Sequence, residues 1–372
     1  MNLSERLDAA AMGAIDARRI VGSVIIVCRH GELVYQAPHG LADRESQRPM
    51  TLDTIFRFSS LTKPVVAATI LALIEDGKLG LDAAITDYLP DFRPRLADGT
   101  QPTITIRQLL THTSGLSTAS ILTPAEAAAG MNRWRLGDDA IIARIGALPL
   151  LFAPGAGWAY GPSIDILGHV AGRLVGGRLE DAIRHYVTGP LGMIDTGFTV
   201  RDPSRLAAPY ADGANGPELM GPLHTIPNPW GSTTSYDPDR IFDAAAFQSG
   251  GGGAAGSGPD FMRLLEALRT GGAILRPETA RLALSNQTPQ LTQAVSPGWQ
   301  FCLFGAWLDD PSAAGVPAPR GMVRWGGIYG HNWFIDPAAG LSVVSMSNTG
   351  LEGSDGRFRD DILQAVYRDS PA

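Results

Sequence analysis

Cysteine is nearly missing from this chain: Cys28 and Cys302 are the only two in 372 residues. That excludes a disulfide framework and a thiolate zinc cluster. Two buried free thiols are expected, with a single bridge as the alternative. Charge is also sparse, at 18% of residues, with a net charge of −7 and no basic stripe. A protein that neutralises phosphates needs the reverse, so nucleic acid is not expected as a partner. Long apolar runs are missing too. The longest near the N-terminus, Val24 to Cys28, has the length of a strand and cannot cross a bilayer. The opening residues Met1 to Arg6 lack the basic start and apolar stretch of a signal peptide. A soluble, cytoplasmic protein with no membrane partner is expected. The seven histidines show no H-E-x-x-H or other ligand spacing, so neither a metal nor a cofactor is expected. G-x-S-x-G is absent, which removes the nucleophile elbow of the α/β-hydrolases. Gly250 to Gly253 lacks the Lys-Ser/Thr of a phosphate loop; close approach of backbone to another surface is expected there.

Hydrophobic residues make up 44% of the chain, with 44 glycines and 27 prolines. That composition describes a globular protein rich in turns and large enough for a sizeable core. Apolar residues at helical spacing predict a helix over 3–19. Gly22 to Cys28, a break at His30-Gly31 and Leu33 to Tyr35 predict a hairpin. Near the other end, Trp299–Leu308, Met322–Trp325, Trp333–Ile335 and Leu341–Met346 read as strands between Pro/Gly turns. A closing helix follows on Phe358, Ile362 and Val366. Between the ends, helices over 106–111, 138–147, 163–175 and 179–187 alternate with long loops. This pattern predicts an α+β fold: one antiparallel sheet built from N- and C-terminal segments (1–83 and 254–372), with a mainly helical part (84–253) inserted and the active site between them.

Ser60-Leu61-Thr62-Lys63 carries the most chemistry. It follows a predicted strand (54–58) and opens a predicted helix, whose apolar face is Val66, Ile70, Leu73 and Ile74 and whose end is Gly77. Pro64 is tolerated only near a helix start, so the start lies close to Ser60. Positions i and i+3 share a helix face, which lets Lys63 fold back onto the Ser60 hydroxyl. Backbone N–H groups at the helix start stand where an oxyanion would form. A serine hydroxyl needs a base. A lysine at its ordinary pKa of about 10.4 is charged at neutral pH, so a lysine base requires burial and a nearby cation or dipole. Alone, S-x-x-K fits equally a serine that caps a helix beside a solvated lysine.

The tetrapeptide has company in a fixed order. Tyr160 stands in Pro154-Gly155-Ala156-Gly157-Trp158-Ala159-Tyr160-Gly161-Pro162, and Arg324-Trp325-Gly326-Gly327-Ile328-Tyr329-Gly330-His331 follows near the end of the chain. This ordered set resembles the family VIII carboxylesterases, serine esterases of the β-lactamase and DD-peptidase fold, over essentially the whole chain. Residues 58–64, 108–116 and 329–337 add to the likeness. It is nearest to members that cleave short-chain esters and remove acetyl groups from cephalosporins. The resemblance implies Ser60 as nucleophile, Lys63 as its base and Tyr160 as their partner. A tyrosine oxygen beside both can relay a proton to the leaving alkoxide. It also implies an oxyanion site from the backbone N–H groups of Ser60 and Ile328.

Two departures from the lactamases bear on substrate. Their third motif supplies a cation for a substrate carboxylate, and Trp325-Gly326-Gly327 stands there instead. Their second motif ends in Asn, which helps bind an acylamino group, and Pro162 takes its place. Both losses favour neutral esters. Arg324 is a poor substitute for the cation, since adjacent strand residues face opposite sides. Trp325, Gly326, Gly327 and His331 are expected to border the substrate pocket, with bare glycine backbone along which a substrate can lie. Trp134, Trp158, Trp230 and Trp333 are candidate walls or core residues. His112 and Ser114 are expected in turn and packing roles. The expected partner is a small-molecule ester, and the oligomeric state is unknown from sequence. The alternatives are a β-lactamase, a D-amino-acid peptidase or amidase, an acyltransferase using the same Ser-Lys-Tyr set, and a silent ligand-binding module on the same fold.

Overall fold

A computed structural model describes residues 1–117, 120–123, 125–126, 131–227, 233–291 and 295–368. In chain order the helices are α1 (Leu3–Asp16), α2 (Thr62–Glu75), α3 (Ile106–Leu110), α4 (Asp138–Ala147), α5 (Ser163–Leu174), α6 (Leu179–Ile183), α7 (Gly258–Thr270), α8 (Pro277–Ala283), α9 (Pro311–Ala314), α10 (Gly350–Ser354) and α11 (Arg357–Tyr367). The strands are β1 (Gly22–Arg29), β2 (Glu32–Asp43), β3 (Arg48–Pro49), β4 (Ile55–Arg57), β5 (Tyr210–Gly213), β6 (Gly216–Leu219), β7 (His224–Pro227), β8 (Thr233–Tyr236), β9 (Ala255–Ser257), β10 (Trp299–Phe301), β11 (Ala306–Leu308), β12 (Val323–Gly327), β13 (His331–Asp336) and β14 (Leu341–Ser347).

Eight strands form one antiparallel sheet in the order β10-β11-β12-β13-β14-β1-β2-β3, which joins both chain ends as expected. Its centre is β1 against β14, both buried along nearly their whole length, because helices cover both faces. Alternation divides the side chains between two cores. Val24 and Ile26 point to the core shared with α2, α5 and α7, while Ile25 and Val27 point to the one shared with α1 and α11. No helix among the described residues is long and apolar enough to cross a membrane.

Several boundaries differ from the sequence reading. The first helix ends at Asp16, and Arg18 turns to a φ of 54°. The apolar pattern itself stops at Ile15, and residues 17–19 carried no breaker to mark the end. Trp299–Leu308 is a hairpin, with Cys302 N–H donating to the Gly305 carbonyl, so the run that read as one strand supplies β10 and β11. The predicted helix over 179–187 is α6 followed by a π-helical turn, Arg184–Thr188. The middle segment also contains two small hairpins, β5–β6 and β7–β8, too short and polar to stand out as strands. Trp230 lies outside the described residues.

The glycine tract behaves as expected. A Cβ on Gly250 would stand 2.5 Å from the Ile164 carbonyl oxygen, and one on Gly253 would stand 2.6 Å from the Phe198 ring. Both cysteines are free and buried.

Candidate active site

Short β4 pairs with β9 and delivers the chain into a 3₁₀ turn, Ser59–Leu61, that runs straight into α2. Ser59 takes a φ of 48°, a conformation a non-glycine residue holds only when its surroundings impose it. Those surroundings are visible. Thr62 Oγ1 donates to the Ser59 carbonyl at 2.7 Å and accepts from Ala254 N–H at 3.1 Å, while Phe58 N–H donates to the Ala254 carbonyl at 2.9 Å. Ser60 is thereby fixed at the mouth of α2 with 9% of its surface exposed, and Lys63 one turn later with 8%.

Three groups meet at the serine. Ser60 Oγ accepts from Lys63 Nζ at 3.1 Å and from Tyr160 OH at 2.7 Å. Lys63 Nζ also donates to the Gly251 carbonyl at 2.6 Å and lies 4.5 Å from the Tyr160 ring centre. The fold therefore brings Ser60, Lys63 and Tyr160 together across 100 residues of chain. Tyr160 is carried by the segment that leads into α5 and is held by rings. The His112 ring centre is 4.9 Å away and that of Trp325 is 5.1 Å away, and Trp325 Nε1 donates to Tyr160 OH at 3.3 Å. His112 is buried. Desolvation and the nearby Lys63 charge hold it well below its usual pKa, so it packs as a neutral ring. Its carbonyl accepts from Ala159 N–H at 3.0 Å, which ties the tyrosine segment down. Ser114 bonds Ser163 hydroxyl to hydroxyl at 2.9 Å, the packing role expected of it.

The third motif lies on β12. Pairing with β11 stops at Arg324, so Trp325 to Gly327 present a free strand edge to the cleft. The glycines line the cleft and have a packing reason besides. A Cβ on Gly327 would stand 2.4 Å from the Phe58 carbonyl oxygen and 3.4 Å from Ser60 N, so this position is bare because the strand presses on the nucleophile turn. Gly326 is bare because a Cβ would stand 2.8 Å from the His331 carbonyl oxygen. Ile328 lines the cleft beside Ser60, and its carbonyl accepts from Tyr236 OH at 3.1 Å. His331 corrects the sequence reading. It is 1% exposed, lies off the cleft wall, packs edge-on against Phe56 and bonds through Nε2 to the Arg57 carbonyl at 2.8 Å. Alternation turned it into the core, and burial pushes its pKa down to about 4.

Ser60, Tyr160 and Ile328 stand where two lobes of the cleft meet. One, of about 320 Å³, is walled by Trp134, Phe247, Ile141 and Pro162. The other, of about 560 Å³, is walled by Trp158, Trp299, Trp325 and Arg324, so Arg324 shares a lobe with its strand neighbour Trp325, against the expectation that the two face opposite sides. The Arg324 guanidinium lies 4.0 Å from the Trp299 ring centre, and burial beside Arg359 lowers its pKa to about 10. Of the candidate tryptophans, Trp134 and Trp158 are walls, while Trp333 is fully buried in the core.

Two features of the site had no motif to announce them. One is the Gly251 carbonyl under Lys63. The other is Asp165, whose Oδ1 accepts from Ser249 Oγ at 2.6 Å and from Gly251 N–H at 3.1 Å. A glycine tract aimed back at a helix start was the available signal.

Comparison with known proteins finds relatives over nearly the whole chain. The family profile described as Beta-lactamase matches residues 6–367. Esterase EstB of Burkholderia gladioli is 44% identical over 374 residues, 98% of this chain and 95% of its own length. The solved structure of EstCE1, described as a hydrolase with promiscuous acyltransferase activity, superposes with a TM-score of 0.91 at 39% identity and covers 98% of each chain. The simvastatin synthase LovD of Aspergillus terreus shares the fold, with a TM-score of 0.77 at 22% identity over the full length of both chains.

Proposed function

The chain belongs to the β-lactamase family, and within it we propose that it acts as a serine carboxylesterase on small neutral esters, through an acyl-enzyme. The observation that carries this reading is one serine oxygen within hydrogen-bond reach of both a buried lysine and a tyrosine, at the bottom of a cleft. Lys63, as the neutral amine, takes the Ser60 proton along the 3.1 Å line while Oγ bonds to the ester carbonyl carbon. The carbonyl electron pair moves onto oxygen, between the N–H groups of Ser60 and Ile328. As the C–O bond breaks, the leaving alkoxide takes the Tyr160 hydroxyl proton, and the tyrosinate recovers the one held by Lys63. Water then attacks the acyl group, giving up its proton along the same path. The acid departs, and Ser60 regains its hydrogen.

Three features support esters over lactams and amides. Trp325 stands where a carboxylate-binding cation would be needed, Pro162 stands where an amide would, and EstB is an esterase. The second lobe, open to the same serine, favours a secondary reading in which an alcohol intercepts the acyl group in place of water. EstCE1 is described as capable of such transfer. The two free thiols support the cytoplasm as the compartment.

The test is active-site labelling. A fluorophosphonate is expected to modify Ser60 alone, and Ser60→Ala is expected to lose hydrolysis of p-nitrophenyl butyrate. A label on Ser114, or full activity in the alanine variant, overturns the mechanism.

A further inference from the structure

We propose that Asp165 is a positioning residue for this reaction: acting through Gly251, it sets the direction in which Lys63 offers its lone pair to Ser60. The proposal rests on the reading of Lys63 as the base. A neutral amine has two N–H groups and one lone pair, and rotation about Cε–Nζ presents them in three ways. Only one of these points the lone pair at Ser60 Oγ. The Gly251 carbonyl, 2.6 Å from Nζ, takes one N–H, and the face of the Tyr160 ring, 4.5 Å away, receives the electropositive side of the group. The direction left is the serine: an N–H points there in the hydrogen bond described above, and the lone pair takes its place once the amine is neutral.

That arrangement holds only if the Gly251 carbonyl stays in place, and a run of four glycines has no side chains of its own to anchor it. Asp165 provides the anchor. Its Oδ1 accepts from Gly251 N–H at 3.1 Å and from Ser249 Oγ at 2.6 Å, which holds Gly251 from its N-terminal side. The peptide that carries the carbonyl is tied through Gly252 N–H to the Ser249 carbonyl at 3.1 Å, itself part of the residue Asp165 grips. The closeness is built in. A Cβ on Gly251 would stand 2.7 Å from Asp165 Oδ2, and one on Gly250 would stand 2.5 Å from the Ile164 carbonyl oxygen. Pro162, in the same cleft wall, has no polar side chain to offer Lys63. The first turn of α5 thus does two jobs. It follows directly on Tyr160, and it supplies the carboxylate that orients the other proton carrier.

The experiment compares Asp165→Ala, Asp165→Asn and Gly251→Ala with the wild type in kcat and KM for p-nitrophenyl butyrate, with folding checked by thermal melting. Asp165→Ala is expected to lower kcat at least tenfold with KM within twofold. Asparagine keeps an oxygen that can accept both bonds, so Asp165→Asn is expected to stay within threefold of wild type. Gly251→Ala is expected to reproduce the alanine defect with the carboxylate present. A folded Asp165→Ala that keeps kcat within twofold overturns the proposal. So does an Asp165→Asn as slow as Asp165→Ala, which would assign the effect to charge, or a defect confined to KM, which would make Asp165 a substrate contact. If Asp165→Ala does not fold, the other two variants decide. Lys63→Met is run alongside: full activity there refutes the base itself, a failure distinct from that of Asp165.

Discussion

Replacing Trp325 by Phe isolates one hydrogen bond in the proposed proton path. The indole N–H donates to Tyr160 OH at 3.3 Å, and the same ring packs 5.1 Å from Tyr160 and 5.4 Å, edge-on, from Phe301. Phenylalanine keeps an aromatic ring in this cluster but removes the donor and part of the ring; the lost packing bears on both esters alike, so the difference between esters reports the donor. A neutral hydrogen bond contributes about 0.5–1.5 kcal/mol, which corresponds to roughly a two- to tenfold change in rate if it acts in the transition state. Trp325→Ala removes two ring pairs as well, each worth about 0.5–1.5 kcal/mol beyond burial, and its defect is expected to be larger. The choice of ester separates a role in proton transfer from a role in packing. The phenolate of p-nitrophenyl butyrate departs without a proton, whereas the alkoxide of ethyl butyrate needs one from Tyr160. The assay is kcat/KM, which reports acylation, for both esters on wild type and Trp325→Phe. The loss is expected to be at least threefold greater for the ethyl ester. Equal losses on the two esters, or no loss on either, would refute a role for this indole in aligning Tyr160.

The fold was legible where residue pattern and environment agree. The β1 segment has an apolar, β-branched centre at Val24–Val27, and it sits at the sheet centre with helices on both faces, the setting that suits such a run. The hairpin at Trp299–Leu308 was hidden because its turn residues Cys302, Leu303 and Phe304 are themselves buried and apolar, so no polar punctuation marks it. The two small hairpins within 210–236 were lost for the opposite reason: their strands are short and half-polar, and their pairing is decided by neighbours rather than by period.

In the site, the i, i+3 spacing of Ser60 and Lys63 translated directly into a contact because both ride one helix start. Tyr160 had no local rule to place it, and only the order of motifs pointed to it. His331 shows the limit of nearness in sequence. It is four residues beyond Gly327 in the chain and pairs with it across the β12–β13 register, yet its side chain enters the core. Asp165 and the Gly251 carbonyl were invisible to residue-type reasoning for a further reason. One acts through backbone and the other is backbone, so what matters there is the path of the chain and the absence of a Cβ.

Gly327→Ala places a methyl 2.4 Å from the Phe58 carbonyl oxygen. Overpacking of this kind costs about 1–3 kcal/mol, so a lower melting temperature and at least a tenfold loss of esterase activity are expected. The wild type is expected to cleave acetyl to butyryl esters and to open benzylpenicillin slowly or not at all. A hydrogen bond to a charged group is worth about 1.5–3 kcal/mol, so the missing cation costs the lactam about ten- to hundredfold in affinity. Equal efficiency on penicillin and a butyrate ester would reject that argument. The last prediction concerns acid stability, through His331. Its pKa is about 4 in the folded chain because the ring is buried, which outweighs the opposing effect of its bond to the Arg57 carbonyl, against about 6.5 when unfolded; Nδ1 is unpartnered among the described residues. A depressed pKa means that the unfolded chain binds the proton first. The stability is therefore fully present above pH 6.5 and is lost as the pH falls toward 4. The difference amounts to about 3 kcal/mol in full, of which about 2 kcal/mol falls between pH 7 and pH 5. Denaturant unfolding of wild type and His331→Gln at those two pH values measures it. The variant starts less stable because its amide is buried with the same partners, but it should lose about 2 kcal/mol less on acidification. An identical loss in both proteins would show that His331 does not carry the acid sensitivity.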